Sequence, residues 1–451
     1  MSSLLQKQAI RGTAWTIAGY GFSQGLRLAS NLVLTRLLVP EMFGLMALVS
    51  TFITGLNLFS DIGIRPGIIR SKRGDDPVFL NTAWTIQLIR GVGLWLCCII
   101  IAYPTAQYYG DPRITWILPV AGFTTVLAGL KSTDLHRLNR HMAIGKLAAF
   151  DAVIQLVSIT VMVVWAYFSP SIWALLAGGL ASKAVEAIWS HFIFPGSFNH
   201  FAWEKEALKE LVKFGRWIFV ATAMTFLAAQ SDKLMLGKLL SIETLGIYSV
   251  AYTMAYLVRE IVQKINVQVT LPVLSRLSHL PPATVKSKIL PKRRSLLIVL
   301  SFLIVFMAGF GDYIILFLYD SRYDQASWML PLLVLGLWPL LLSMTIDKTL
   351  YAIGKPIYSA IGNTLKLIYM IVLMPLAAEH VGIVGVILVI AFNDLPYYIA
   401  TGYGLWREKF SVIGQDIQAT VFLFALCSLV IGSRYLLGFG TPFDLIFQVS
   451  L

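Results

Sequence analysis

The sequence predicts an all-α polytopic membrane protein, with about 12–14 transmembrane helices in two pseudo-symmetric six-helix lobes around a central cavity. Three observations carry that expectation: a succession of apolar runs of spanning length, a one-sided distribution of basic residues between them, and a short internal repeat. Of 451 residues, 57% are hydrophobic and 13% charged, against about 25% charged in a soluble domain. That supply is too small for a water-facing surface or for a disordered chain. The formal net charge of +13, from 36 Lys+Arg against 23 Asp+Glu, would otherwise suggest a nucleic-acid binder. Such a protein needs its charge as patches on a polar surface, so no nucleic-acid partner is expected.

A spanning helix takes about 20 apolar residues. Runs of that kind lie near 12–36, 42–64, 81–103, 114–132, 147–168, 171–193, 212–237, 244–271, 295–319, 327–350, 357–378, 381–405 and 417–434. The first is too long for a cleavable signal peptide, contains Arg27 and has no A-x-A site. The tail 435–451 is apolar but too short to count as a span. Between the runs, 23 basic residues fall on the side that holds the N-terminus and 5 on the opposite side, with 8 in or at the edges of runs. The positive-inside rule then places the N-terminus in the cytoplasm.

The segment Leu34-Thr35-Arg36-Leu37-Leu38-Val39-Pro40-Glu41-Met42-Phe43-Gly44 aligns without gaps to Leu236-Gly237-Lys238-Leu239-Leu240-Ser241-Ile242-Glu243-Thr244-Leu245-Gly246, with five of eleven positions identical. The same offset of 202 pairs Trp15 with Trp217. Six runs separate the copies, so both have the same orientation, which is a parallel repeat. It divides the chain into lobes 1–205 and 206–405, with 406–451 appended. The amphipathic stretch 197–212 is expected to lie on the cytoplasmic surface and join the lobes.

Polar residues on the runs keep helical spacing. Thr13, Thr16, Tyr20, Gln24, Arg27 and Asn31 form one face, and Ser50, Thr54, Asn57 and Asp61 another. Tyr252, Tyr256, Arg259, Gln263, Asn266 and Thr270 form a third, with Glu260 and Lys264 beside it; Thr222, Thr225 and Asp232 stand on the preceding run. Lipid does not solvate such stripes, so two helices from each lobe are expected to face a hydrated cavity. Arg27 is the leading candidate, being near mid-run with no acid three or four residues away. Its guanidinium suits a forked contact to phosphate; the competing reading is a salt bridge to Asp61. Arg259 and Lys264 rank lower. Single charges such as Asp151, Lys183, Glu186 and Lys366 read better as interhelical ion pairs.

No Walker A motif or zinc pattern is present, so no cofactor, metal or enzymatic chemistry is expected. The six histidines, His136, His141, His191, His200, His279 and His380, lie in loops or at run ends and read as solvated. Cys97, Cys98 and Cys427 read as small buried hydrophobes.

The passage Ser231–Leu240, followed by Glu243–Tyr252, resembles the start of the second lobe in bacterial polysaccharide transporters. Leu34 to Leu48, Trp173-Ala174-Leu175 and Gly382-Ile383-Val384-Gly385-Val386 are similar to other parts of that family. The family is the Wzx-like oligosaccharide flippase branch of the multidrug/oligosaccharidyl-lipid/polysaccharide (MOP) superfamily. The resemblance implies two six-helix bundles around a cavity in the bacterial cytoplasmic membrane. It implies as cargo an undecaprenyl-pyrophosphate-linked oligosaccharide, moved from the inner to the outer leaflet for lipopolysaccharide, capsule or exopolysaccharide synthesis. Membrane lipids, a polysaccharide polymerase and assembly proteins are the partners it suggests. Arg27, Arg259 and Lys264 would then meet the pyrophosphate, and Tyr20, Gln24, Asn31, Asn57, Tyr252 and Tyr256 the sugars. A multidrug or cation antiporter of the same superfamily and a lipid II flippase remain the alternatives.

Overall fold

The computed structural model describes residues 21–61, 63–71, 73–140, 144–193, 198–265 and 282–449. Its regular structure is helical throughout, with no strand among the described residues. The helices are α1 (21–37), α2 (Pro40–Phe59), α3 (Ile64–Arg70), α4 (Pro77–Tyr109), α5 (Ile114–Leu130), α6 (Asp134–Arg140), α7 (Ile144–Phe168), α8 (Ile172–Ser190) and α9 (Lys205–Leu239). They continue as α10 (Ile242–Ile265), α11 (Pro282–Leu318), α12 (Ala326–Gly336), α13 (Trp338–Met344), α14 (Lys348–Ala352) and α15 (Ile357–His380). α16 (Gly382–Ala391), α17 (Leu395–Arg407), α18 (Ile413–Leu436) and the short α19 (Asp444–Val449) complete the order. Each apolar run of the sequence carries helix in its described part.

Among the described residues, nine segments are long and apolar enough to cross a membrane. Their outer faces carry large apolar side chains; Phe317 and Leu436 are 84% and 85% exposed. Trp116, Tyr167, Phe168 and Tyr435, also exposed, stand near helix ends, where aromatic rings favour the membrane–water interface. The chain is a multi-pass membrane protein.

Both copies of the repeat fold alike. α1 ends at 37 and α2 starts at Pro40, while α9 ends at Leu239 and α10 starts at Ile242. The Leu38 N–H donates to the Leu34 carbonyl at 2.8 Å, and the Leu240 N–H to the Leu236 carbonyl at 2.9 Å. Glu41 and Glu243 both occupy a first helical turn, where a carboxylate complements the unpaired N–H groups.

Packing divides the chain into two compact units, Met1–Phe226 and Leu227–Leu451. In the first, α4 and α5 approach through glycines: a Cβ at Gly91 would lie 2.5 Å from the Thr125 carbonyl oxygen. The Thr125 hydroxyl donates to the Gly91 carbonyl at 2.8 Å, and the Gln87 amide donates to the carbonyls of Ala128, Gly129 and Lys131. Such ties hold helices together where apolar burial gives no net drive. Among the described residues of the 197–212 stretch, those from Lys205 onward are helical. The residues before it pack on the ends of α4 and α5: Asn199 bonds Asn81, Ser132 and Thr133, and Glu204 pairs with Arg73 at 2.7 Å.

That polar node corrects the expectation of solvated histidines for His136 and His191, whereas His200 and His380 are exposed as expected. His191 Nε2 lies 2.9 Å from the Leu130 carbonyl oxygen, His200 is 3.1 Å from the Asn81 amide, and His136 is half-buried in α6. Loop ends in this unit fold back on each other and need polar partners, which imidazoles supply. His141 and His279 lie outside the described residues. Cys97 is also corrected: it is exposed, whereas Cys98 and Cys427 are buried. Adjacent helical residues point about 100° apart, and Cys98 takes the inward direction against Gly122.

In the second unit, α12 is apolar all round and almost wholly buried, with Trp328, Met329 and Leu330 at 0% exposure. It crosses α16 so closely that a Cβ at Gly336 would lie 2.1 Å from the Ala391 carbonyl oxygen. α11 and α18 run parallel. Arg293 meets Asp416, Phe302 meets Phe422, and Gly309 and Asp312 meet Arg434, in ascending order along both helices.

Candidate functional site

Each unit carries its own polar cluster. In the first, the α1 face shows Arg27 exposed, and no hydrogen bond or ion pair joins it to the described residues. Gln24 and Asn31 on the same face are half-buried. The Gln155 amide of α7 donates to the Ser23 carbonyl at 2.8 Å and ties α7 to α1. Tyr20 lies outside the described residues.

Asn57 and Asp61 stand at the end of α2. Asp61 accepts the Gly63 N–H at 2.8 Å, closing a turn whose Gly63 has φ +68°, a conformation that favours glycine. The Arg90 guanidinium of α4 donates to the Ser60 hydroxyl at 2.8 Å and to the Asn57 carbonyl at 2.7 Å, with the Asp61 carboxylate as its nearby counter-charge. Arg90, rather than Arg27, is thus the cation at Asn57 and Asp61. Nothing in the sequence ranked it, because it stands alone in an apolar run and its strongest acceptor is a main-chain carbonyl.

The second cluster lies wholly in the unit Leu227–Leu451. Tyr252, Tyr256 and Arg259 line a narrow cleft with Asp232, Lys366 and Asp394. Their spacing of four and three stacks them on one face of α10. Tyr248 and Tyr252 ring centroids are 5.5 Å apart, Tyr252 and Tyr256 5.1 Å, and the Arg259 guanidinium caps the ladder 4.8 Å from the Tyr256 centroid. The Tyr248 hydroxyl donates to Asp232 Oδ2 at 2.5 Å, and Lys233 Nζ sits 5.2 Å from the Tyr252 centroid. Across the cleft, Lys366 Nζ and Asp394 Oδ1 pair at 2.6 Å, both buried. Arg259 Nε and Asp232 Oδ1 have no hydrogen-bond partner among the described residues. The Lys264 side chain is not among those described, and Asn266 and Thr270 lie outside the described residues.

This cleft offers two stacked tyrosines, a guanidinium with donor capacity to spare and a carboxylate oxygen with acceptor capacity to spare. Lys366 brings no free charge, since Asp394 neutralises it. Asp232 and Lys366 come from two helices and Asp394 from the turn before α17, so no single stretch of sequence brings the three together. Among the described residues no group of His, Cys, Asp and Glu could hold a metal ion.

The polysaccharide biosynthesis protein family matches residues 33–328. The chain belongs to that family. Three curated relatives are similar at low identity. The succinoglycan biosynthesis transport protein ExoT of Rhizobium meliloti is 21% identical over 60% of this chain and 55% of its own. The lipopolysaccharide biosynthesis protein WzxC of Escherichia coli is 21% identical over 56% and 51%. The amylovoran biosynthesis protein AmsL of Erwinia amylovora is 22% identical over 56% and 66%. The chain spans about half the length of the first two. Among solved structures, this polysaccharide biosynthesis family member shares its fold with a multidrug resistance MATE family transporter of the MOP superfamily. The TM-score is 0.66 at 13% identity, covering 90% of this chain and 95% of the other. The lipid II flippase MurJ gives a TM-score of 0.70 at 15% identity, covering 97% and 95%.

Proposed function

We infer that this polysaccharide biosynthesis family protein carries a lipid-linked oligosaccharide across the bacterial cytoplasmic membrane, from the inner to the outer leaflet. The cargo class is an undecaprenyl-pyrophosphate-linked glycan destined for lipopolysaccharide, capsule or exopolysaccharide. The observation that carries this reading is the Tyr248–Tyr252–Tyr256 ladder capped by Arg259. The cleft-lining Tyr252 and Tyr256 bring aromatic edges and hydroxyls that suit sugar hydroxyls, and a guanidinium with an open donor suits a phosphate oxygen. Support comes from the relatives, one of which is named a succinoglycan transport protein.

In this reading lobes 1–205 and 206–405 rock by alternating access, with 406–451, which holds α18 and α19, appended and the N-terminus in the cytoplasm. Arg27 on α1, exposed and unpaired with the described residues, meets the pyrophosphate. Gln24, Asn31 and Asn57 meet the sugars. A polysaccharide polymerase and assembly proteins receive the exported unit.

The test is transport of a fluorescent lipid-linked oligosaccharide by the purified full chain in liposomes. R27A and R259A should each lower the initial rate by roughly tenfold or more, the loss of about one charge-assisted hydrogen bond, while remaining folded. Wild-type rates in both variants would remove the site assignment. Movement of lipid II or a cationic drug, with the oligosaccharide left behind, would replace the cargo.

A further inference from the structure

The seam between α11 and α18 holds a second cavity, of about 470 Å3, lined by Arg294, Leu297, Ile298, Ser301, Gln418 and Phe422 among others. Arg293 and its neighbour Arg294 divide the work there. Arg293 points inward and makes four hydrogen bonds, to Thr345, the Leu342 carbonyl, Gln415 and Asp416. Arg294 is exposed at the lip, and no hydrogen bond or ion pair joins it to the described residues.

The depth of this lip in the membrane follows from the two helices. Residues 295–311 of α11 and 417–433 of α18 are each 17 residues without a charge. At about 1.5 Å per residue each covers roughly 26 Å, close to the hydrocarbon thickness of about 30 Å. One end of both segments is marked by Arg293 and Asp416, the other by Asp312 and Arg434. Arg294 therefore stands at a membrane–water boundary. The cavity runs from it along the helices past Ile298 to Ser301, about 10 Å into the hydrocarbon layer, and Phe422 lies at that inner level on α18.

A polar, positive lip above an apolar trough has the chemistry of one ligand. We propose that the α11–α18 seam is a binding site for an anionic phospholipid, with its phosphate on Arg294 and Gln418 and an acyl chain against Leu297, Ile298 and Phe422. Exposed Lys288 and Lys292 on the same helix draw such lipids to this end. Bound there, the lipid bridges the two helices beside the Arg293–Asp416 pair and tightens the attachment of α18. The inference does not depend on the cargo.

The experiment uses the full chain purified in a mild neutral detergent, titrated with phosphatidylglycerol and read by native mass spectrometry and by melting temperature. Phosphatidylglycerol should bind and raise the melting temperature, and phosphatidylcholine should do neither. R294Q should weaken binding roughly fivefold or more, from about 1 kcal/mol per interfacial cation. A419F, at another residue of the cavity lining, keeps every charge but fills the trough, and should weaken binding at least as much. K292Q, which is outside the lining, should cost several-fold less than R294Q. The proposal is overturned if A419F binds like the wild type, if K292Q and R294Q cost the same, if glycerol phosphate alone gives the full shift, or if only undecaprenyl phosphate binds. Melting of each variant without lipid separates loss of binding from loss of fold.

Discussion

The Arg293 guanidinium donates to the Asp416 carboxylate at 2.5 Å inside the second unit, with side-chain exposures of 1% and 6%. It joins α11 to the start of α18, and the Tyr398 hydroxyl bonds the remaining Asp416 oxygen at 3.0 Å. Removing one partner of such a pair leaves a buried charge unmatched, which costs about 3–5 kcal/mol. R293M should therefore lower stability by that amount, measured by thermal melting in detergent. R293M/D416N should recover part of the loss, because the stranded carboxylate is gone. A double variant as unstable as the sum of the singles would show that the two charges do not act as a pair.

The cleft predicts a different balance. Lys366 and Asp394 sit 2.6 Å apart and buried, so D394N strands an ammonium and should destabilise the second unit by about 3–5 kcal/mol. Y256A keeps every charge and removes the ring beneath Arg259. It should leave the melting temperature within a few degrees yet reduce oligosaccharide transport, by roughly tenfold if the ring contributes about 1–2 kcal/mol to holding sugar and guanidinium. Transport in proteoliposomes beside melting curves separates the two effects. Unchanged transport by a folded Y256A would remove the aromatic ladder from the site.

Helix crossings give a third contrast. Gly336 has the Ala391 carbonyl 2.1 Å from where a Cβ would sit, whereas nothing lies within 4 Å of that position at Gly432 in α18. G336A forces α12 and α16 apart and should cost about 1–3 kcal/mol. G432A only stiffens a helix interior and should be neutral or stabilising by about 0.5–1 kcal/mol. Melting of the two single variants tests this directly, and equal effects would mean that close approach at Gly336 does not limit packing.

These three tests also mark what the sequence could express. Spans are legible because lipid demands long apolar runs with internal hydrogen bonding, and every run carries helix. The Leu34–Gly44 and Leu236–Gly246 repeat is legible because a turn between two helices is a local structure, and both copies form it. Tyr252, Tyr256 and Arg259 share a face by spacing alone. Asp232 stands on a polar face of its own run and Lys366 reads as an ion-paired charge, as its contact with Asp394 bears out; that the three meet could not be read, because Lys366 and Asp394 lie more than 100 residues beyond Asp232. Arg90 was invisible for another reason: an isolated arginine in an apolar run looks alike whether it serves a carbonyl, an acid or a ligand.

His136 supplies a pH test outside the spans. Burial, reinforced by the positive charges of Lys131 and Arg65, pushes its imidazole down to about 3, while Glu186 pulls the other way. The folded protein keeps the ring neutral, whereas the unfolded chain takes up a proton near pH 6.5. Below that value the unfolded state binds more protons than the folded one. The stabilising contribution is therefore complete above about pH 6.5 and declines as pH falls towards 3. Between pH 7.5 and 5 the wild type should lose about 1–2 kcal/mol from this group. H136N cannot titrate and should flatten that part of the slope, read as melting temperature against pH in a non-ionic detergent. An H136N profile parallel to the wild type would assign the slope to other groups.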